Sequence, residues 1–301
     1  MKRKILWLLM SFLLVASLVL ASCAKEEVVT PGEQEEEEEE EEEVVVPTAA
    51  VGEEPQYGGT VTWLCNWIQI EAETVGIQFD LGDHNAVRCV HHAYTEDLVS
   101  PGDIEKYGPR GSGEWPFTAT NVVPPRYCGQ GLAESWEITA NTEIFHIRPG
   151  VMWAANPYIG FEAREFTADD AAFSINRWLN DPNAFVKQSW FDNAVAIDRY
   201  TLQVNLNTFN QDAIIWHYVF FGMYPPETVT TPGFNPHDWR TTVGTGPFIL
   251  TDYVEDSQLT YKPNPNWWNN TTTINGKEYT IPFIDKLIYP CLLYTSPSPR
   301  D

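Results

Sequence analysis

Apolar and polar positions fall into three regimes along the chain. Near the amino terminus, Ile5 to Met10 and Phe12 to Val15 are unbroken apolar runs. From Ala24 to Gln56 the apolar residues are few and carry no period. From Tyr57 onward, short periodic stretches alternate with Gly/Pro punctuation. Tyr57-Gly58-Gly59-Thr60-Val61-Thr62-Trp63-Leu64 predicts a turn feeding a first strand. Leu132 to Ile138 and Glu143 to Arg148 predict a hairpin, the second arm alternating and stopped by Pro149-Gly150. Thr167-Ala168-Asp169-Asp170 predicts a capped helix start, because an acid three residues after a capping Thr reaches back to the capping backbone. Ala172, Ile175 and Leu179 then share one face, and the helix ends near Asp181-Pro182. Tyr200 to Leu206 alternates as a half-buried strand does. Ala213 to Phe220 predicts a short buried helix. Gly246 to Leu250 and Gln258 to Lys262 predict a strand pair, and Ile284 to Tyr289 a further strand. With no internal repeat, this is a mixed α+β body rich in loops.

The first regime is an export address. Lys2, Arg3 and Lys4 precede the apolar run, as in a secretory signal. A transmembrane helix is the competing reading, but about 18 residues is short for a span. Leu20-Ala21-Ser22-Cys23 also resembles the bacterial lipobox, in which the cysteine carries lipid and becomes the first mature residue. Cys23 is therefore the expected lipidation site, residues 1–22 the signal, and two or three acyl chains give firm anchoring. Residues 23–56 are a tether: 14 Glu and one Lys lie between Ala24 and Gln56, including the run Glu35 to Glu43. Like charges at i,i+4 repel and nothing here supplies a core, so the composition predicts disorder. Fully extended, the tether would reach about 110 Å.

Charge and cysteines narrow the classes. The formal charge is −24. Setting aside the three signal cations and the tether's net −13 leaves −14 on the body, which argues against nucleic acid or an anionic bilayer as a direct partner. Cys65, Cys89 and Cys128 lie in an exported body, where disulfides persist, but three cannot all pair internally. No C-x-x-C pair supports a zinc ribbon or thioredoxin-like site.

Catalytic and metal motifs are missing or better explained otherwise. Gly111-Ser112-Gly113 lacks the spacing of a nucleophile elbow. His84, His91 and His92 suggest a metal, yet adjacent residues on a strand point to opposite faces, so neither metal nor cofactor is expected. Asp169 and Asp170 read as capping acids. Gly244-Thr245-Gly246 reads as a turn into the next strand, and Trp153, Trp178 and Trp239 as packing residues.

The order of several motifs carries a resemblance. Gly131-Leu132-Ala133-Glu134-Ser135-Trp136-Glu137 precedes Phe145-His146-Ile147-Arg148-Pro149-Gly150-Val151-Met152-Trp153. Phe166-Thr167-Ala168-Asp169-Asp170-Ala171, Val243-Gly244-Thr245-Gly246-Pro247-Phe248 and Asn264-Pro265-Asn266-Trp267-Trp268 follow. Together they resemble the family 5 extracellular solute-binding proteins, the peptide, nickel and oligosaccharide receptors of ABC importers. One departure is the segment Ala154 to Glu165, longer than the family's turn.

The resemblance implies a large two-lobed periplasmic-binding-protein-like fold with an extra domain, of which the second lobe is missing here. It implies domain I at residues 57–100 and 194–290, with domain II inserted at 101–193. The end, residues 291–301, reads as translated sequencing adapter. Trp63 and Trp67 lie at or just past the first strand, which in the family ends at the cleft, so Cys65, Asn66 and Trp67 are the expected ligand contacts, with Tyr94 a further candidate. The implied protein is not an enzyme. It captures an oligopeptide, or an oligosaccharide given the Trp content, outside the cytoplasmic membrane and delivers it to permease subunits. A surface-anchored glycan hydrolase and a cell-wall-binding protein are the alternatives.

Overall fold

The computed structural model describes residues 54–64, 79–80, 91–100, 128–181, 190–210, 213–215, 217, 222–255 and 257–290. The signal, nearly all of the tether, the loop from 101 to 127 and the end from 291 to 301 lie outside the described residues. No helix among the described residues is long and apolar enough to cross a membrane.

Two four-stranded sheets organise the molecule. The first contains β4 (Ala133–Ile138), β5 (Thr142–Ile147), β7 (Thr201–Leu206) and β6 (Phe191–Asp198), in that spatial order and antiparallel throughout. Its central strands keep the predicted alternation: Phe145 and Leu202 face each other in register, both fully buried. Helix α1 (Ala168–Leu179) packs on β6 and β7. Its start is the predicted capping box, the Thr167 backbone N–H donating to Asp170 Oδ2 at 3.1 Å. Ile175 and Trp178 enter the core, and Asn176 Nδ2 ties the helix to Ala194 O at 2.7 Å. Position 193/194, where the sequence reading divides the domains, lies within β6, the outer strand that the chain, returning from α1, pairs with β7. One polar pair is sealed in the core. His217 Nε2 and Glu143 Oε2 are 2.7 Å apart, both side chains fully buried, with the Phe145 ring edge-on to the imidazole at 4.5 Å.

The second sheet is ordered β1 (Thr60–Thr62), β12 (Lys286–Pro290), β9 (Gln258–Pro263) and β8 (Phe248–Val254). Here β1 runs parallel to β12, while the other pairs are antiparallel. Leu250, Leu259, Tyr261, Leu287 and Tyr289 form its buried face with Phe79, Ala93 and Tyr94.

Sequence reading overlooked β6 and the ribbon β10 (Thr271–Ile274) and β11 (Lys277–Thr280). The ribbon turns at Asn275-Gly276, both at positive φ (52° and 79°), the pairing a two-residue type I′ hairpin needs. That signal was present in the sequence. Two two-residue strands, β2 (Val99–Ser100) and β3 (Gly129–Gln130), pair with each other. Helix α2 (Pro226–Thr230) is short. Of the helix expected from Ala213, the first turn, Ala213–Ile215, is 3-10.

Candidate functional site

The segment from Ala93 to Leu98 runs between the two sheets and hydrogen-bonds to both. Ala93 O accepts from Phe248 N at 3.0 Å and Tyr94 O from Gly246 N at 2.9 Å, on the side of the second sheet. Asp97 O accepts from Leu132 N and Leu98 O from Ala133 N, each at 3.0 Å, on the side of the first. Backbones this close leave no space for side chains. A Cβ on Gly244 would lie 1.7 Å from Tyr94 O, one on Gly246 2.7 Å from Tyr94 C, and one on Gly131 2.4 Å from Asp97 O. Glycine is required here by close approach. The Gly-Thr-Gly segment is thus more than the turn expected: it is one face of a joint.

Glu96 sits at the middle of this joint. The indole N–H groups of Trp267 and Trp268 both donate to its carboxylate at 3.1 Å. Arg148 stacks 4.2 Å above the Trp268 ring and donates from Nε to Gly131 O at 3.4 Å. Burial pushes the Glu96 carboxyl above its ordinary range, and the indole donors partly oppose that shift. Gly131, Arg148, Gly244, Gly246, Trp267 and Trp268, all from recognisable motifs, therefore converge on one connecting segment. Their arrangement ties the two sheets together.

Tyr94 also faces a narrow recess lined by Phe79, Asp80, Tyr224, Thr241 and Val243, with about 10 Å³ free, the space of roughly one water molecule. Its ring meets His91 edge-on at 5.6 Å, and its hydroxyl is buried without a hydrogen-bond partner among the described residues. Burial pushes the phenol well above its ordinary range. Asp80 forms a two-pronged ion pair with Arg177, whose guanidinium also donates to the Tyr224 hydroxyl at 3.1 Å. Only 2 % of Tyr94 is exposed, so the side chain lies behind the surface. Cys65, Asn66 and Trp67, like the lipidation candidate Cys23, lie outside the described residues. The strand that leads to them is followed by Trp63 and Leu64, 61 % and 63 % exposed.

The remaining candidates resolve into structure. Asp170, besides its cap, accepts from Trp153 Nε1 at 3.1 Å and is clamped by Arg164 at 2.8 and 2.7 Å. Arg164 reaches on to Glu227 at 2.8 Å. Trp153 and Trp178 are buried in the first core, and Trp239 packs against the second. Cys128 is a free thiol, pushed up to about 11 by burial, hence protonated at neutral pH. Among the described residues no three His, Cys, Asp or Glu side chains converge as metal ligands would. Sequence reading missed Glu96, Asp80 and Tyr224 altogether. An isolated acid or tyrosine in a loop carries no period or spacing that marks it.

The family model described as bacterial extracellular solute-binding proteins, family 5, matches residues 129–289. A di/tripeptide-binding protein of Pseudomonas aeruginosa is 28% identical over 170 residues, covering 50% of this chain and 30% of that one. A dipeptide-binding protein of Escherichia coli is 28% identical over 188 residues, covering 56% and 34%. The chain thus spans about a third of the length of these relatives. Among solved structures, the ABC transporter-associated periplasmic binding protein DppA of Helicobacter pylori, in complex with the peptide STSA, superposes with a TM-score of 0.54 at 20% identity. That match covers 79% of this chain and 43% of the other, and it shows a shared periplasmic-binding-protein fold.

Proposed function

We propose that this chain, which belongs to the bacterial extracellular solute-binding proteins of family 5, is the ligand-capturing receptor of an ABC importer for short peptides. The observation that carries this reading is the family match across 129–289, whose motif residues meet in the joint between the two sheets. Relatives named for dipeptide and di/tripeptide binding support peptide as the ligand. An oligosaccharide is the second ligand class, on the strength of the 11 Trp that follow the signal.

In this reading the first sheet with α1 forms the inserted domain, extending through Leu206, and the second sheet belongs to the domain that carries the ligand face. Cys65, Asn66 and Trp67, just past the exposed end of β1, contact the ligand. Ligand closes a second lobe over this face by a hinge motion, to the extent that it binds the closed form better. Tyr94 takes part only if closure opens its recess. Outside the cytoplasmic membrane, lipid on Cys23 and the acidic tether keep the receptor near its permease.

The test is isothermal titration calorimetry on the product of the full-length gene, against dipeptides, tripeptides and cello- and malto-oligosaccharides. Saturable peptide binding without turnover is expected. Release of hydrolysed product would sink the reading, and binding of sugars alone would move it to the second ligand class. A Cys23→Ser variant should lose acylation and leave the membrane fraction; continued anchoring would overturn the lipid assignment.

A further inference from the structure

On the far side of Tyr94 and Val243 from the narrow recess lies an open groove of about 290 Å³, near the lower end of small-molecule sites (~300 Å³). One wall is the long segment after Trp153. It folds back on itself through bridges at Met152/Glu165 and Asn156/Phe161. Two side chains pin it to the 3-10 turn Trp239–Thr241 and its flanks. Asn156 Nδ2 donates to Arg240 O at 2.8 Å and to Thr242 O at 2.9 Å, and the Tyr158 hydroxyl donates to Asp238 Oδ2 at 3.2 Å. The opposite wall is β8, an edge strand, contributing Phe248 and Ile249, with Trp239 also lining the space. The groove therefore has an apolar strip from Trp239, Phe248 and Ile249 within a mixed lining, and it is held in shape before any ligand arrives.

Its charges are unequal. Arg240 is neutralised by Asp238 at 2.7 and 2.8 Å and stacks 4.5 Å over the Tyr158 ring. Lys262, opposite Ile249 in the strand register and lining the same groove, has no ion-pair partner among the described residues. In a body this acidic, most described cations are engaged: Arg164, Arg177, Arg199, Arg240 and Lys277 with carboxylates, Arg148 with Trp268. An ammonium with no ion-pair partner among the described residues, beside an aromatic-lined groove, matches a ligand with an apolar body and one negative group.

We propose that this groove is a binding site for a small apolar carboxylate, its ring or branched body against Trp239 and Phe248 and its anion on Lys262 Nζ. The site is argued from Trp239, Phe248 and Lys262, none of which is among the ligand contacts proposed above. The probes are N-acetylphenylalanine and its uncharged amide, titrated calorimetrically into the purified full chain. The acid should bind saturably and about fivefold more tightly than the amide, the size of a solvent-exposed ion pair. Lys262→Gln, an exposed and structurally mild change, should reduce the acid to the affinity of the amide. Trp239→Ala should weaken both probes alike, and Lys286→Gln, an exposed lysine of the same sheet, should change neither. Absence of saturable binding by either probe, or an acid-to-amide ratio that survives Lys262→Gln, overturns the proposal.

Discussion

The two sheets are built in opposite ways. In the first, β4, β5, β6 and β7 all fall between residues 133 and 206, and each pairs with a strand near it in sequence or across one helix. Its core holds Phe145, Trp153, Phe166 and Ile175, all fully buried. In the second, Thr60 pairs with Lys286, so the sheet closes only when the ends of a long loop meet. Such closure costs entropy before contacts repay it. Among the described residues its core is smaller, and every residue of β1 is exposed. The contrast implies that the first sheet carries the stability, and that the second depends on the joint through Glu96 and the close-packed glycines.

The largest effect should come from emptying the stronger half. Trp153→Ala removes a fully buried ring and the indole donor to Asp170, and should cost about 3–5 kcal/mol in urea unfolding. Gly244→Ala attacks the joint instead. With a Cβ 1.7 Å from Tyr94 O, about 3 kcal/mol of overpacking is expected. Hydrogen exchange should then rise in 248–263 while 142–147 stays protected; equal loss in both would break the comparison. Leu287→Ala, inside the weaker core, should cost about 2 kcal/mol with the same regional pattern.

Glu96→Gln is a smaller and pH-dependent probe, of about 1 kcal/mol. Burial raises the folded-state pKa of Glu96 above its ordinary 4.5. Between the unfolded and folded values the native state holds the extra proton, so wild-type stability from this group falls as pH rises through that window. The variant lacks this component, so its stability relative to wild type should improve from acid toward neutral pH. A pH-independent difference would mean that Glu96 is not held in a desolvated joint. Val195→Thr, on the exposed side of β6, should change stability by less than about 0.5 kcal/mol, and a larger loss would mean that this face is covered in solution.

Local chemistry made much of this protein legible from its sequence. Alternation at Glu143 to Arg148 and Tyr200 to Leu206 marks strands because side chains on a strand alternate between faces. Thr167 and Asp170 mark a helix start because a capping box spans only four residues. The motif order identified the family because its pieces lie in sequence order along 129–289. What the motifs do was decided only by tertiary structure. Gly131, Gly244, Arg148 and Trp268 lie up to 137 residues apart, and nothing local says that they gather around the segment from Ala93 to Leu98. Tyr94, expected to touch ligand, is enclosed because the backbone of Gly244 and Gly246 presses on it from the second sheet. Lys262 sits at the end of a predicted strand, and only the fold brings Asn156, Trp239 and Phe248 around the groove that it faces. Patterns of a few residues are written by the chain's own geometry, whereas contacts across a hundred residues depend on which backbones can approach without a side chain between them.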